Sequence, residues 1–134
     1  MPILTISAKA LTSGRAWTPG WYLVTFDKME DGVISASGKS NNYKAYFTDV
    51  KTGNETMIMY NDSEFLVAQM GELFAAAADI PLEDIADTQI DFDKIKGNQL
   101  FVQVQNEMYK KNPTDAGRLS NRFVIYQPVS QPPY

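Results

Sequence analysis

Residues 43–78 read YKAYFTDVKTGNETMIMYNDSEFLVAQMGELFAAAA, and the spacing of their apolar side chains changes halfway along. Alternation over 43–50, a reversal at Gly53-Asn54 and a second run over 55–60 predict a β-hairpin, because alternate residues of a strand share a face. From there the apolar residues recur every three or four positions, as Leu66, Met70, Leu73 and Ala77. This period predicts a helix over about residues 63–78, with Asn61 or Asp62 as its cap.

Further strands are predicted on both sides of this unit. Residues 21–29 are rich in aromatic and β-branched side chains and end at Glu30-Asp31-Gly32, a turn signal. Residues 99–109 alternate apolar and polar side chains, and residues 122–126 form a last strand before Pro128. The predicted order is three strands, one helix and two strands.

This order predicts a mostly β fold. Five short strands, with one helix between the third and fourth and a long loop over 110–120, are typical of the five-stranded Greek-key OB barrel. A four-stranded sheet with one packed helix is the alternative. Because 134 residues are few for two cores, we expect a single domain over 20–128. An irregular lead-in over 1–19 and a proline-rich tail over 129–134 complete the chain.

The composition excludes most catalytic sites. The chain has no cysteine and no histidine, so it cannot form disulfides, thiolate metal sites or His-dependent catalytic groups. We therefore expect a protein that is not an enzyme and has no cofactor and no metal. The acids over 84–93 could hold Mg²⁺ in a nuclease, but a solvated acidic loop explains them more simply. Neither a membrane partner nor secretion is expected, because the sequence shows no long apolar run and no leader.

The charge of the chain is distributed unevenly. Residues 52–93 contain ten acids and no Lys or Arg, whereas the remaining residues contain all twelve basic residues and six acids. A chain with a net charge of −4 can therefore still present a positive surface.

Aromatic and basic residues share the predicted strand faces. Lys44 and Tyr46 lie opposite Ala45 and Phe47, so burial of the latter pair would expose the former. Rings provide stacking surfaces for bases and cations bind phosphates, which together favour a single-stranded nucleic acid as partner. If the faces were inverted, Tyr43 and Phe47 would form the stacking surface instead. The candidate nucleic-acid-binding residues are Lys39, Tyr43, Lys44, Tyr46, Phe101, Tyr109, Lys110, Lys111, Arg118, Arg122 and Tyr126.

Three short motifs around the predicted helix carry a family resemblance. They are Pro19-Gly-Trp-Tyr-Leu-Val, Ile95-Lys-Gly-Asn-Gln-Leu-Phe-Val-Gln-Val and Asn121-Arg-Phe-Val-Ile-Tyr-Gln-Pro128. Over about 110 residues this layout resembles phage-encoded single-stranded DNA-binding proteins of OB fold. Two features depart from that family: Lys96 precedes Gly97 rather than following it, and the tail, Gln131-Pro-Pro-Tyr134, lacks acids.

The resemblance implies a sequence-tolerant protein that coats and protects single-stranded DNA during phage replication or recombination. It further implies a location in the host cytoplasm and replication or recombination proteins as additional partners, and it is compatible with a homo-oligomer. The alternative is a small β-barrel interaction or virion-assembly protein without nucleic-acid binding. In that case the outward aromatic residues would form a protein interface.

Overall fold

A computed structural model describes residues 3–5, 16–34, 41–109 and 118–133 of the chain. Within these ranges the sheet consists of β1 (Gly20–Ile34), β2 (Asn41–Asp49), β3 (Glu55–Asn61), β4 (Gln99–Tyr109) and β5 (Arg118–Pro128). An α-helix, α1 (Glu64–Ala78), lies between β3 and β4, and two 3₁₀ helices follow it at Leu82–Ile85 and Phe92–Ile95. The predicted mostly β fold, with one helix between the third and fourth strands, is confirmed.

The five strands form one antiparallel sheet in the order β3-β2-β1-β4-β5. Four strand spacings would separate β3 from β5 by about 19 Å in a flat sheet. Instead, the Asn121 side-chain amide on β5 donates to Thr56 Oγ1 on β3 at 2.9 Å. The sheet is therefore rolled until its edges meet, although no backbone ladder joins β3 to β5 within the described residues.

The core fills the inside of the rolled sheet. Phe47 on β2 is fully buried, and its ring lies 5.7 Å from that of Phe26 and 4.8 Å from that of Phe123, measured between centroids. Helix α1 covers the same side with Met70, Leu73 and other buried residues. We call this side of the sheet the inner face and the opposite side the outer face.

The ends of α1 are set by local side-chain and backbone conformation. Ser63, rather than the predicted Asn61 or Asp62, caps the helix, since its hydroxyl accepts from the Leu66 amide at 3.4 Å. Asp79 ends the helix in the left-handed conformation, with φ at 57°. The chain then reaches Pro81, which is the N-cap residue of the first 3₁₀ helix.

β1 and β5 are longer than the sequence predicts, and both contain bulges. The predicted turn at Glu30-Asp31-Gly32 lies inside β1, where a register shift between Glu30 and Val33 accommodates it within the pairing with β2. A second shift between Phe26 and Lys28 and a third in β5 change which residues face outward.

Candidate nucleic-acid interface

Two neighbouring rows of side chains on the outer face of β1, β2 and β3 contain basic, acidic, aromatic and apolar residues. Cross-strand pairing aligns them as Lys28–Tyr46–Met57 and Glu30–Lys44–Met59. We call these six residues the platform. Met57 and Met59 are 41% and 47% exposed, so the platform presents apolar as well as polar side chains to solvent.

Alternation along β2 places two platform residues as the sequence predicts. Ala45 and Phe47 are fully buried on the inner face, so Lys44 and Tyr46 face outward. The predicted face assignment of this strand is therefore confirmed, and the inverted alternative is wrong. Tyr43 lies on the inner face, half-buried against the core, and does not join the platform.

Lys28 and Glu30 are platform residues that sequence reasoning missed. Strict alternation would place Lys28 inside with Val24 and Phe26, but the bulge at Asp27 moves it to the outer face. A lysine at a position predicted to be interior was the one sequence signal for this bulge, because an unpaired buried cation is strongly disfavoured.

The Glu30 carboxylate links two other platform residues, Lys28 and Tyr46. Its Oε1 lies 3.2 Å from Lys28 Nζ, and its Oε2 accepts from the Tyr46 hydroxyl at 3.2 Å. Lys28 Nζ is also 4.9 Å from the centroid of the Tyr46 ring. The hydrogen bond from Lys28, and then that from Tyr46, lowers the pKa of Glu30. At neutral pH the platform thus carries two positive charges and one negative charge.

A third cation reaches the platform through the rolling of the sheet. Arg122 is exposed and pairs with Gln105 on the outer face of β4 and β5. Because β5 approaches β3, Arg122 lines the same cleft of about 670 Å³ as Met57 and Met59. The outer surface therefore runs from the lysines, across Tyr46 and the methionines, to Arg122.

Phe101 does not provide the exposed ring that its position on a polar face suggested. It lies on the outer face, yet it is only 9% exposed. It belongs to β4, between Leu23 of β1 and Gln127 of β5, and so has side chains of a neighbouring strand on either side. The expectation that the Phe101 ring is exposed is wrong, because the polarity of its strand does not report the neighbouring strands that cover it.

Tyr126 faces inward, contrary to its predicted place beside Arg122. Val104 pairs with Phe123 and Gln103 with Ile125, so Val124 is an extra residue that reverses the alternation. The Tyr126 and Tyr60 hydroxyls form a hydrogen bond, and burial raises the pKa of both phenols. This pair connects β3 and β5 inside the rolled sheet, so Tyr126 does not lie beside Arg122 on the outer face.

Several candidates fall at or beyond the limits of the described residues. Tyr109 and Arg118 form the last described pair of the β4–β5 hairpin, with side chains outside the description. Lys39, Lys110 and Lys111 lie wholly outside the described residues.

The two tryptophans have different environments. Trp17 is buried on the inner side, where its amide donates to Asn121 Oδ1 at 2.7 Å and its ring lies 4.9 Å from that of Tyr22. Trp21 pairs with Gln103 on the outer face and is half-buried. Of the two, only Trp21 adjoins the surface that carries the platform.

Across the described part of the chain, no three acidic side chains come together in a group suited to a metal ion. In that same part, α1 and the 3₁₀ helices lack the length and apolarity that crossing a bilayer requires.

Comparison with known proteins assigns no family to the chain. No protein-family model matches it, and no curated protein gives a significant match.

Proposed function

We propose that this protein binds single-stranded DNA with little sequence preference, without catalysis, and coats it during phage replication or recombination. The observation that carries the proposal is the Tyr46 ring on the outer face, with Lys28 and Lys44 beside it. Exposed rings stack on bases of any sequence, and neighbouring lysines neutralise phosphates.

The apolar part of the platform favours a single strand over a duplex. Met57 and Met59 extend the exposed surface beyond Tyr46 and offer polarisable side chains to unstacked bases. A duplex hides its base faces and presents mainly phosphates. It would leave both the ring and the methionines without a partner.

The strand order and the rolled sheet are consistent with an OB-like fold, which we propose as the architecture. OB domains bind oligonucleotides on the face of strands 2 and 3 and with the loops after strands 1 and 4. Here the platform lies on β1 to β3. The sequences that join β1 to β2 and β4 to β5 contain Lys39 in the first case and Lys110 and Lys111 in the second.

The test is a fluorescence-anisotropy titration of a labelled dT oligomer at several salt concentrations. If three to five phosphates are neutralised, log K should fall against log salt with a slope of about −2 to −3.5. An unlabelled duplex of equal length should compete far less well than unlabelled dT. A slope near zero, or equal competition by the duplex, would contradict the proposal.

A second candidate function is a small interaction or virion-assembly protein. It is favoured by the exposed apolar side chains Met57, Met59 and Phe65, which would suit a protein interface. Absence of saturable dT binding at low salt, with protein at tens of micromolar, would support this alternative.

A further inference from the structure

A groove lies on the side of the inner face of the sheet, away from the platform. It has a volume of about 830 Å³ and runs between α1 and the segment that contains the two 3₁₀ helices. Met29, Tyr43, Met70 and Phe92 contribute to its lining. We call it the helix-side groove; its volume is typical of ligand sites in proteins.

The walls of the helix-side groove present apolar side chains to solvent. Val67 on α1 and Leu82 on the first 3₁₀ helix are 48% and 47% exposed, and both line the groove. The two walls come close together at Gly71, because a Cβ at this position would lie only 3.3 Å from Ile85 Cδ1. The apolar surface is therefore continuous across two elements of the fold.

The charge of the helix-side groove is acidic. Glu72, Asp91 and Asp93 line it, and among its described lining residues there is no Lys or Arg. The surrounding sequence, residues 52–93, has ten acids and no basic residue. Asp93 is paired with Lys96 at 3.2 Å, whereas Glu72 and Asp91 have no ion pair among the described residues. A polyanion such as DNA is repelled here, and a cationic ligand is attracted.

We propose that the helix-side groove binds a basic amphipathic segment of a partner protein. Apolar side chains of that segment contact Val67, Leu82 and Phe92, while its Lys or Arg residues face Glu72 and Asp91. This is the helix-in-groove mode of peptide recognition with matched charge. The proposal does not depend on DNA binding, because it uses the opposite side of the sheet.

The test uses a labelled 18-residue peptide of leucine and lysine with leucines at helical spacing. We expect saturable binding at 0.15 M salt and none by the same pattern built from leucine and glutamate. Val67→Lys should weaken binding at least tenfold by adding a cation to the groove wall. The matched control is Phe65→Lys, which makes the same charge change on the same helix but outside the groove, and it should change affinity less than threefold. Thermal unfolding verifies that both variants are folded.

The outcomes separate this proposal from its rivals. In protein labelled at the methionine methyls, the peptide should shift Met29 and Met70 and leave Met57 unchanged. Equal weakening by both lysine variants, binding of the glutamate peptide, or no saturable binding would overturn the proposal. The proposal would also be overturned if light scattering showed that this chain is a dimer and that Val67→Lys converts it to a monomer. Val67→Lys should leave dT affinity unchanged, so a failure here is distinguishable from a failure of the proposed function.

Discussion

Adjacent residues of β2 should separate binding from folding. Tyr46 faces outward on the platform, and Phe47 is fully buried on the inner face. Replacing each by alanine removes an aromatic ring from the same strand at positions one residue apart. We expect Tyr46→Ala to lose DNA affinity and Phe47→Ala to lose stability.

The burial of Phe47 sets the size of the stability effect. Truncation of a buried phenylalanine costs about 3–5 kcal/mol, and here the ring also contacts Phe26 and Phe123. For a domain of this size, 1 kcal/mol corresponds to about 3–5 °C. Phe47→Ala should therefore lower Tm by about 10–20 °C. Tyr46→Ala should lower Tm by less than about 5 °C, because surface substitutions have small effects on stability, and should weaken dT binding about five- to hundredfold.

The assay combines thermal unfolding by circular dichroism with dT anisotropy at a temperature where each variant is folded. Tyr46→Phe is the control that keeps the ring and removes only the hydrogen bond to Glu30, and its affinity should remain within about twofold of the original. If Phe47→Ala does not express, Phe47→Leu replaces it in the assay, because leucine keeps most of the buried volume. Normal dT binding by folded Tyr46→Ala would refute the stacking role of this residue.

Three other predictions follow from the platform, the loops and the interior. Glu30→Gln should raise dT affinity about two- to fivefold, because it removes the negative charge beside the platform lysines. The pKa of Glu30 is lowered below 4.5, so its carboxylate stays charged down to pH 5. The dT affinity of the unmutated protein, measured by titration, should therefore stay constant from pH 8 to 5. Lys110→Ala with Lys111→Ala should weaken binding to all sequences alike and flatten the salt slope, with little change in Tm. Tyr126→Phe should cost about 1–3 kcal/mol in urea unfolding, because it leaves the buried Tyr60 hydroxyl without its partner. Since both phenol pKa values are raised above 10.0, the original protein should lose stability as pH rises past about 10, and the variant should lose less.

The parts of the fold with a strong, unbroken period were predictable. Residues 99–109 were predicted as a strand and form β4 with the same bounds. The helix was predicted from the spacing of Leu66, Met70 and Leu73 and begins within one residue of the predicted position. In both segments the apolar side chains repeat at the period of one element only, so no other assignment fits them as well.

Bulges and tertiary neighbours explain what the sequence did not predict. The extra residues Asp27 and Val124 reverse the alternation of their strands, which exposes Lys28 and buries Tyr126. A bulge is defined by the pairing of one β-strand with a second one, and the alternation of residues along one β-strand contains no information on that pairing. Phe101 was assigned its correct face, but its burial depends on neighbouring strands that are distant in sequence.

Binding of single-stranded DNA to the outer face of the sheet can be measured in one NMR spectrum of the methionine methyl groups. Met57 and Met59 lie on the platform, whereas Met29 and Met70 line the helix-side groove. Replacing each by leucine assigns its signal, and a dT oligomer is then added to saturation. If the platform binds DNA, the signals of Met57 and Met59 shift and those of Met29 and Met70 stay unchanged. Shifts confined to Met29 and Met70, or none at saturating DNA, would contradict binding to the platform.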